Sequence, residues 1–263
     1  MSSSLGFIGT GHLASYTIAG LRQAGDQRQI ILSPRNAEIA AQLAANYQCQ
    51  VALSNQDLVD AADIVILAVR PAAVAEALSS ITLRPGQLLL SVAAGVTCVE
   101  LRAALGSQNP IFRTSLISGA AYNTGPIPLY PVNTELVQLL SPLGEVVTCD
   151  TEQEFALALA PMCANGWIYT LVAALEQPML EAGMPASKAR KLVVQAILGT
   201  MAHVQNQPEL DLQAVTESIA TPGTFTKMGL DILQQEDAFA PWQSAIKALL
   251  ANSINATEKD KKE

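Results

Sequence analysis

Histidine and cysteine are scarce in this chain, and their scarcity narrows the chemistry first. There are two histidines, His12 and His203, and four scattered cysteines, Cys49, Cys98, Cys149 and Cys163. No two cysteines stand at C-x-x-C spacing, so no metal site is expected, and the thiols read as reduced and mostly buried in a cytoplasmic protein. Clustered basic residues are also missing. With a net charge of −8 and no basic patch, neither a nucleic acid nor an anionic membrane is an expected partner. No apolar run reaches the ~20 uninterrupted residues of a spanning helix. No charge precedes the first apolar run, which is too short for a secretory signal. Asp and Glu are sparse in the apolar stretches, so no paired-carboxylate site suggests itself, and no Ser-His-Asp set can be assembled. What remains is an acidic chain of 263 residues, half of them hydrophobic, enough for a large core in one or two domains.

The most informative stretch is Leu5-Gly6-Phe7-Ile8-Gly9-Thr10-Gly11-His12-Leu13-Ala14. A short apolar strand runs into G-x-G-x-x-A, and helix-compatible sequence comes next. Gly9 suits a tight turn, Gly11 lets a pyrophosphate approach the backbone, and the small Ala14 lets helix and strand pack closely. The helix N-terminus then offers free N–H groups and the positive end of its dipole to phosphates.

Strand and helix signals alternate from there to about residue 150. Strands are expected at Gln29–Leu32, Gln50–Leu53, Asp63–Val69 and Gly86–Val92. Helices are expected to about Ala24, at Ala37–Tyr47, as a turn at Asn55–Ala61, after Pro71, and at Val99–Leu105. Pro110–Thr114 and Pro126–Tyr130 read as added edge strands. Repeated βα units of this size predict an α/β fold, a Rossmann-type doubly wound parallel sheet with right-handed crossovers. Beyond residue 150 strand signals vanish. Helical stretches take over at about Phe155–Ala182, Ser187–Asn206, Leu210–Ile219 and Ala238–Ala251, broken at Gly183-Met184-Pro185, Pro208 and Pro222-Gly223. The expected organisation is a nucleotide-binding domain over 1–150, an all-helical domain over 151–252, and a disordered polar tail over 253–263. Phe155–Ala182 is apolar nearly all round, so it is expected to be buried on all sides. A small domain would struggle to cover it alone, which points to a partner subunit and a homodimer, with a higher oligomer left open.

Cofactor choice is read at the tip of the second strand, where NAD-binding folds place an acid for the ribose hydroxyls. Here the strand ends Leu32-Ser33-Pro34-Arg35-Asn36, with no acid. Ser33, Arg35 and Asn36 offer hydroxyl, guanidinium and amide donors suited to a 2′-phosphate, so NADP is favoured over NAD.

Four further stretches point in one direction. Ala62-Asp63-Ile64-Val65-Ile66-Leu67-Ala68-Val69-Arg70-Pro71 resembles the strand and loop of the pyrroline-5-carboxylate reductase family, where Lys usually stands at the place of Arg70. Ser91-Val92-Ala93-Ala94-Gly95-Val96-Thr97 resembles its Ser-Ile-Ala-Ala-Gly-Val-Thr. Leu180 to Pro185 is similar to its Gly-Leu-Pro helix junction, and Ala220-Thr221-Pro222-Gly223-Thr224-Phe225-Thr226 to its Thr-Ser-Pro-Gly-Gly-Thr-Thr loop. The resemblance covers roughly residues 5 to 250.

It implies a Rossmann domain followed by a helical domain that intertwines with its dimer mate, and hydride transfer from NAD(P)H to the C=N bond of a cyclic imine, giving proline. By position, Gly9, Thr10, Gly11, His12 and Leu13 would hold the pyrophosphate. Ser33, Arg35 and Asn36 would hold the adenosine phosphate, and Asn55 matches a position on the adenosine side. Ala68, Val69, Arg70 and Pro71, with Ala93, Ala94 and Gly95, would flank the nicotinamide half. Thr226 matches the hydroxyl that donates toward the imine nitrogen.

The departures cluster in the substrate half. The family's Arg-Val-Met-Pro-Asn-Thr-Pro is here Arg113-Thr114-Ser115-Leu116-Ile117-Ser118-Gly119, so its Asn falls on Ile117. Its Ser-Gly-Ser-Gly-Pro-Ala-Tyr is here Pro161-Met162-Cys163-Ala164-Asn165-Gly166-Trp167. Thr224 replaces the second Gly of the Pro-Gly-Gly turn, and Phe225 comes after it. Trp167 and Phe225 add bulk, which suits a larger or more apolar imine. Independently of family, an imine is best attacked protonated, so the chain needs a hydroxyl near nitrogen and a pocket low in water. Thr226, Thr221 and Tyr169 are the candidates. Two other readings stay open. β-Hydroxyacid dehydrogenases share the architecture but need a Lys on the long helix, and Phe155–Ala182 has none. A non-catalytic NADP-binding protein would keep the cradle without turnover.

Overall fold

The computed structural model describes residues 3–259. Eight strands form one sheet: β1 (Leu5–Ile8), β2 (Ile30–Leu32), β3 (Gln50–Val51), β4 (Ile64–Leu67), β5 (Leu88–Ser91), β6 (Ile111–Thr114), β7 (Pro126–Tyr130) and β8 (Glu145–Thr148), ordered β3-β2-β1-β4-β5-β6-β7-β8. Between them run α1 (His12–Gln23), α2 (Ala37–Tyr47), α3 (Asn55–Ala61), α4 (Val74–Ser79), α5 (Cys98–Leu105) and α6 (Thr134–Leu140). Local signals fix several of these ends. Ser54 caps α3, Asn133 caps α6, and Thr97 with Glu100 forms a capping box on α5, which ends at the left-handed Gly106.

Alternation along the strands sends side chains to two cores. Leu5, Phe7, Leu32, Ile66, Leu90 and Phe112 meet α1, α2 and α6 on one face. Ile8, Ile31, Val65, Leu67, Leu89 and Ile111 meet α3, α4 and α5 on the other. This three-layer arrangement is the expected doubly wound sheet. Its far side differs from expectation. β6 and β7 are interior strands, they pair antiparallel, and the edge is β8, which the sequence pattern did not reveal. The backbone also comes unusually close where α1 passes the 3-10 turn Ser118–Tyr122. A Cβ on Gly20 would lie 2.0 Å from the Ala120 carbonyl oxygen, so only glycine fits there.

Five helices make up the rest of the described chain: α7 (Glu152–Glu181), α8 (Ala186–Asn206), α9 (Leu212–Ile219), α10 (Phe225–Gln235) and α11 (Ala240–Lys259). Compactness divides the chain into Met1–Met162 together with Leu250–Glu263, and Cys163–Leu249. The division falls inside α7 rather than at residue 150, because the first turn of α7 is tied to the sheet. The buried Arg113 of β6 donates to Glu152 at 2.7 Å and lies 4.6 Å over the Phe155 ring. The expected disordered tail from residue 253 is instead helical through Lys259; the remainder, 260–263, lies outside the described residues.

Within the helical unit, Arg190 of α8 forks onto Glu176 of α7, and Trp167 of α7 meets Trp242 of α11 edge-on at 6.1 Å. The expectation that α7 is buried on all sides fails for a single chain, since 22% of its most apolar stretch is buried. Leu192, Leu198 and Met201 of α8 and Met228 and Ile232 of α10 are likewise more than half exposed. By length and composition α7 is also apolar enough to cross a membrane, although no unbroken apolar run of that length marks it in the sequence.

Candidate active site: a nucleotide cradle at the carboxyl edge of the sheet

The strands β1 to β6 run parallel to one another, so the loops leaving their carboxyl ends share one edge. β1 and β4 sit side by side where the strand order reverses, the place where such sheets bind ligands. The predicted residues of the first five strands gather there. Gly9 leaves β1 with φ +99°, and a Cβ on it would lie 2.5 Å from the Ala68 carbonyl oxygen at the end of β4. No side chain larger than hydrogen fits that turn. Gly11 is the N-cap of α1, with no side chain capping it and open space where its Cβ would be. His12, the first residue of α1, is exposed, its ring 6.2 Å from that of Tyr16. The first amides of α1 therefore have no side-chain cap and open space beside them, as anion binding at a helix start requires. Thr10 Oγ1 is buried and has no hydrogen-bond partner among the described residues, so this turn also holds an unsatisfied polar group.

Two predicted phosphate ligands have other work here. Ser33 is 1% exposed, and its Oγ accepts the Gly9 N–H at 3.0 Å. Asn36 caps α2, its side-chain oxygen accepting from the Ile39 N–H at 3.4 Å. Arg35 alone of the three is free of the backbone. With Pro34, Asn55, Ala77 and Ser80 it lines a hollow of about 250 Å³. Glu76 of α4 completes that lining, its carboxylate 3.4 Å from Arg35 Nη2. The β2 tip gives no sign of Glu76 in the sequence, because the acid comes from a helix after β4.

On the other side of the switch point, Ala68, Val69 and Arg70 lead from β4 into the 3-10 turn Pro71–Ala73, with Arg70 exposed. Ala93, Ala94 and Gly95 leave β5, the Ala93 N–H bonding Ser91 Oγ at 3.2 Å and Gly95 turning at φ +73°. Nearby, Glu152 Oε1 accepts from the buried Arg113 and from the Cys98 N–H, both at 2.7 Å. Burial first, and the Glu152 carboxylate next, push the Cys98 thiol up to about 12, so it is no nucleophile. A lone arginine inside an apolar strand was the available signal for this cluster.

The expected proton donors lie in the helical unit. Thr226 is on the first turn of α10, exposed, and Thr221 is exposed just before that helix. Thr224, which stands where the family has glycine, caps α10 by accepting the Lys227 N–H at 3.2 Å. Tyr169 is 61% exposed, not a core hydroxyl. Phe225 is 88% exposed and Trp167 packs on Trp242, so neither narrows a pocket within one copy.

A glycine-turn cradle at the switch point of a doubly wound sheet, succeeded in the chain by long apolar helices, defines a two-domain oxidoreductase that uses a nicotinamide dinucleotide. Residues 4–95 match the family model described as NADP oxidoreductase coenzyme F420-dependent. Residues 155–256 match the model described as pyrroline-5-carboxylate reductase dimerisation. Over 257 residues the chain is 30% identical to pyrroline-5-carboxylate reductase 1 of Bacillus spizizenii, covering 92% of this chain and 85% of that one. It is 29% identical to the pyrroline-5-carboxylate reductase of Pseudomonas aeruginosa, with 97% of each chain covered. Its fold superposes on the crystal structure of 1-pyrroline-5-carboxylate reductase from Streptococcus pyogenes with a TM-score of 0.85 at 25% identity, covering 96% and 98% of the two chains. The chain belongs to the pyrroline-5-carboxylate reductase family.

Proposed function

We propose that this protein is an NADPH-dependent reductase of the C=N bond of a cyclic imine, of the pyrroline-5-carboxylate reductase type, working in the cytoplasm as a homodimer. The observation that carries this reading is the cradle itself: an uncapped helix start, a turn closed to any side chain at Gly9, and two further strand-end loops on the same edge. The reduced nicotinamide supplies a hydride to the imine carbon when bound. The chain's own part is to hold the pyrophosphate at Gly9, Thr10, Gly11, His12 and Leu13, and the adenosine end at Arg35 and Asn55. Ala68 to Pro71 and Ala93 to Gly95 would keep the nicotinamide half against the substrate, and Thr226 would donate toward the imine nitrogen. The test is NADPH oxidation driven by added imines across several ring sizes. No imine-dependent oxidation would leave only a non-catalytic nucleotide-binding role.

The dimer reading is supported by the exposed apolar surface of α7, α8 and α10 and by the family match over those helices. An apolar surface of that kind marks an obligate interface. Each active site would then combine one copy's nucleotide cradle with helices partly from its mate. Light scattering at micromolar concentration should give twice the chain mass, and Leu198→Asp should yield unfolded or aggregated chain. A folded, monodisperse monomer would rule the dimer out.

A further inference from the structure

Glu76 is the one charged group lining the adenosine hollow that the proposed function leaves without a role. It carries the wrong charge for a 2′-phosphate site. It also carries the group that the β2 tip lacks, namely a carboxylate able to accept from ribose hydroxyls. The sheet order brings the two together. β4 lies next to β1, β1 next to β2, and α4 leaves β4 so that Glu76 stands opposite Arg35 across the hollow. Arg35 Nη2 is 3.4 and 3.5 Å from the two carboxylate oxygens, and the two side chains are 63% and 70% exposed. That is a loose, hydrated pair at the long end of hydrogen bonding. Neither partner is locked by the other, so either is available to a ligand.

We propose that the Arg35–Glu76 pair makes the hollow a two-way selector, in which Arg35 takes the 2′-phosphate of NADPH and Glu76 takes the ribose 2′-hydroxyl of NADH. The proposal rests on the reading of this edge as a nicotinamide-dinucleotide site. A 2′-phosphate entering the hollow displaces the Glu76 carboxylate from Arg35 and then lies beside a like charge, which lowers its affinity. A ribose hydroxyl instead donates to Glu76 while the ion pair stays in place, and no charge is introduced. Glu76 thus acts with opposite sign on the two nucleotides, and the chain would accept both. A surface ion pair with no ligand role predicts no such opposition.

The experiment is titration of the full-length chain with NADPH and with NADH, monitored by nucleotide fluorescence, for the wild type, Glu76→Gln and Arg35→Ala. Both side chains are exposed, so unchanged melting temperatures are expected and serve as the folding control. Glu76→Gln should tighten NADPH about two- to fivefold and weaken NADH by a similar factor, the scale of exposed charge interactions. The gain for NADPH should shrink as salt is raised. Arg35→Ala should weaken NADPH selectively. If Glu76→Gln leaves the ratio of the two affinities unchanged while Arg35→Ala still discriminates, the selector is wrong and the nucleotide site stands. If Arg35→Ala weakens both nucleotides equally, Arg35 does not read the 2′ position and the selector falls. If the wild type binds neither nucleotide, the underlying reading falls with it.

Discussion

The backbone N–H of Gly9 donates to the hydroxyl oxygen of Ser33 at 3.0 Å, joining the turn after β1 to the tip of β2. The bond sits beneath the cradle and not in it, since Ser33 is buried. Its effect is to aim the Gly9 turn, whose φ of +99° no other residue adopts cheaply. Ser33→Ala should leave a part-buried amide unpaired and cost about 1–2 kcal/mol in urea unfolding. It should also weaken NADPH and NADH by the same factor, because the pyrophosphate turn is common to both. A loss confined to NADPH would instead make Ser33 a direct ligand of the 2′-phosphate.

Arg113 and Glu152 fasten the first turn of α7 to the sheet. Arg113 is 2% exposed, its side chain pairs with Glu152, and its Nε has no partner among the described residues. Removing the arginine leaves a part-buried carboxylate with its positive partner gone and Cys98 as its remaining donor, through the backbone amide at 2.7 Å. Arg113→Ala should therefore destabilise the chain by about 3 kcal/mol, while Glu152→Gln, which keeps an acceptor for both donors, should cost less. Equal losses in chemical denaturation would show that the carboxylate's charge, and not its hydrogen bonds or the packing of Arg113 on Phe155, holds the joint.

Asp63 gives the acid limb of stability a specific contributor. Its carboxylate accepts from the Ser4 N–H at 2.8 Å and the Ser4 hydroxyl at 2.9 Å, and these bonds hold its pKa below the ordinary carboxylate value. A depressed folded value means that the stabilisation is fully present above the unfolded pKa of about 3.9 and is lost as pH falls through the lower folded value. Melting temperatures of the wild type should fall more steeply below about pH 4 than those of Asp63→Asn, which cannot titrate. Parallel curves would count against the role. The group is largely exposed, so the difference will be small.

The cradle was legible because it is written locally. Gly9, Gly11 and Ala14 lie within one short segment, and the apolar run of β4 allows little but a strand buried on both faces. The far sheet was less so. β8 reads Glu145-Val146-Val147-Thr148 and is mostly exposed, so it lacks the buried pattern that marks a strand. The helix α10 was hidden because Gly223 and Thr224 look like part of a loop until Thr224 is seen to cap the helix starting at Phe225. Glu76 could not be found from spacing, since its neighbour Arg35 is 41 residues away in the chain. α7 is mostly exposed within one copy, and its all-round apolar pattern, read as needing a partner subunit, is the surface that the proposed second copy would cover.

An imine nitrogen needs a proton donor as hydride arrives at carbon, and Thr226 is proposed for that role from its place in the Ala220–Thr226 segment. Thr226→Val keeps the shape and the β-branch, so α10 should form as before. Turnover on the true substrate should drop about 10- to 100-fold, the worth of one hydrogen bond to a developing charge, with NADPH affinity unchanged. Thr221→Val should have a smaller effect if Thr226 is the donor, and a larger one if the roles are reversed. The substrate itself is to be read from the same panel of imines. Ile117 cannot hydrogen-bond where the family has Asn, and a lost polar anchor can change preference by orders of magnitude. An imine other than pyrroline-5-carboxylate should then be reduced at least as well. If the wild type reduces pyrroline-5-carboxylate with kcat/KM near ~10⁴ M⁻¹s⁻¹ or above and prefers it to every other ring, the altered-substrate reading is wrong and Ile117 is a neutral replacement.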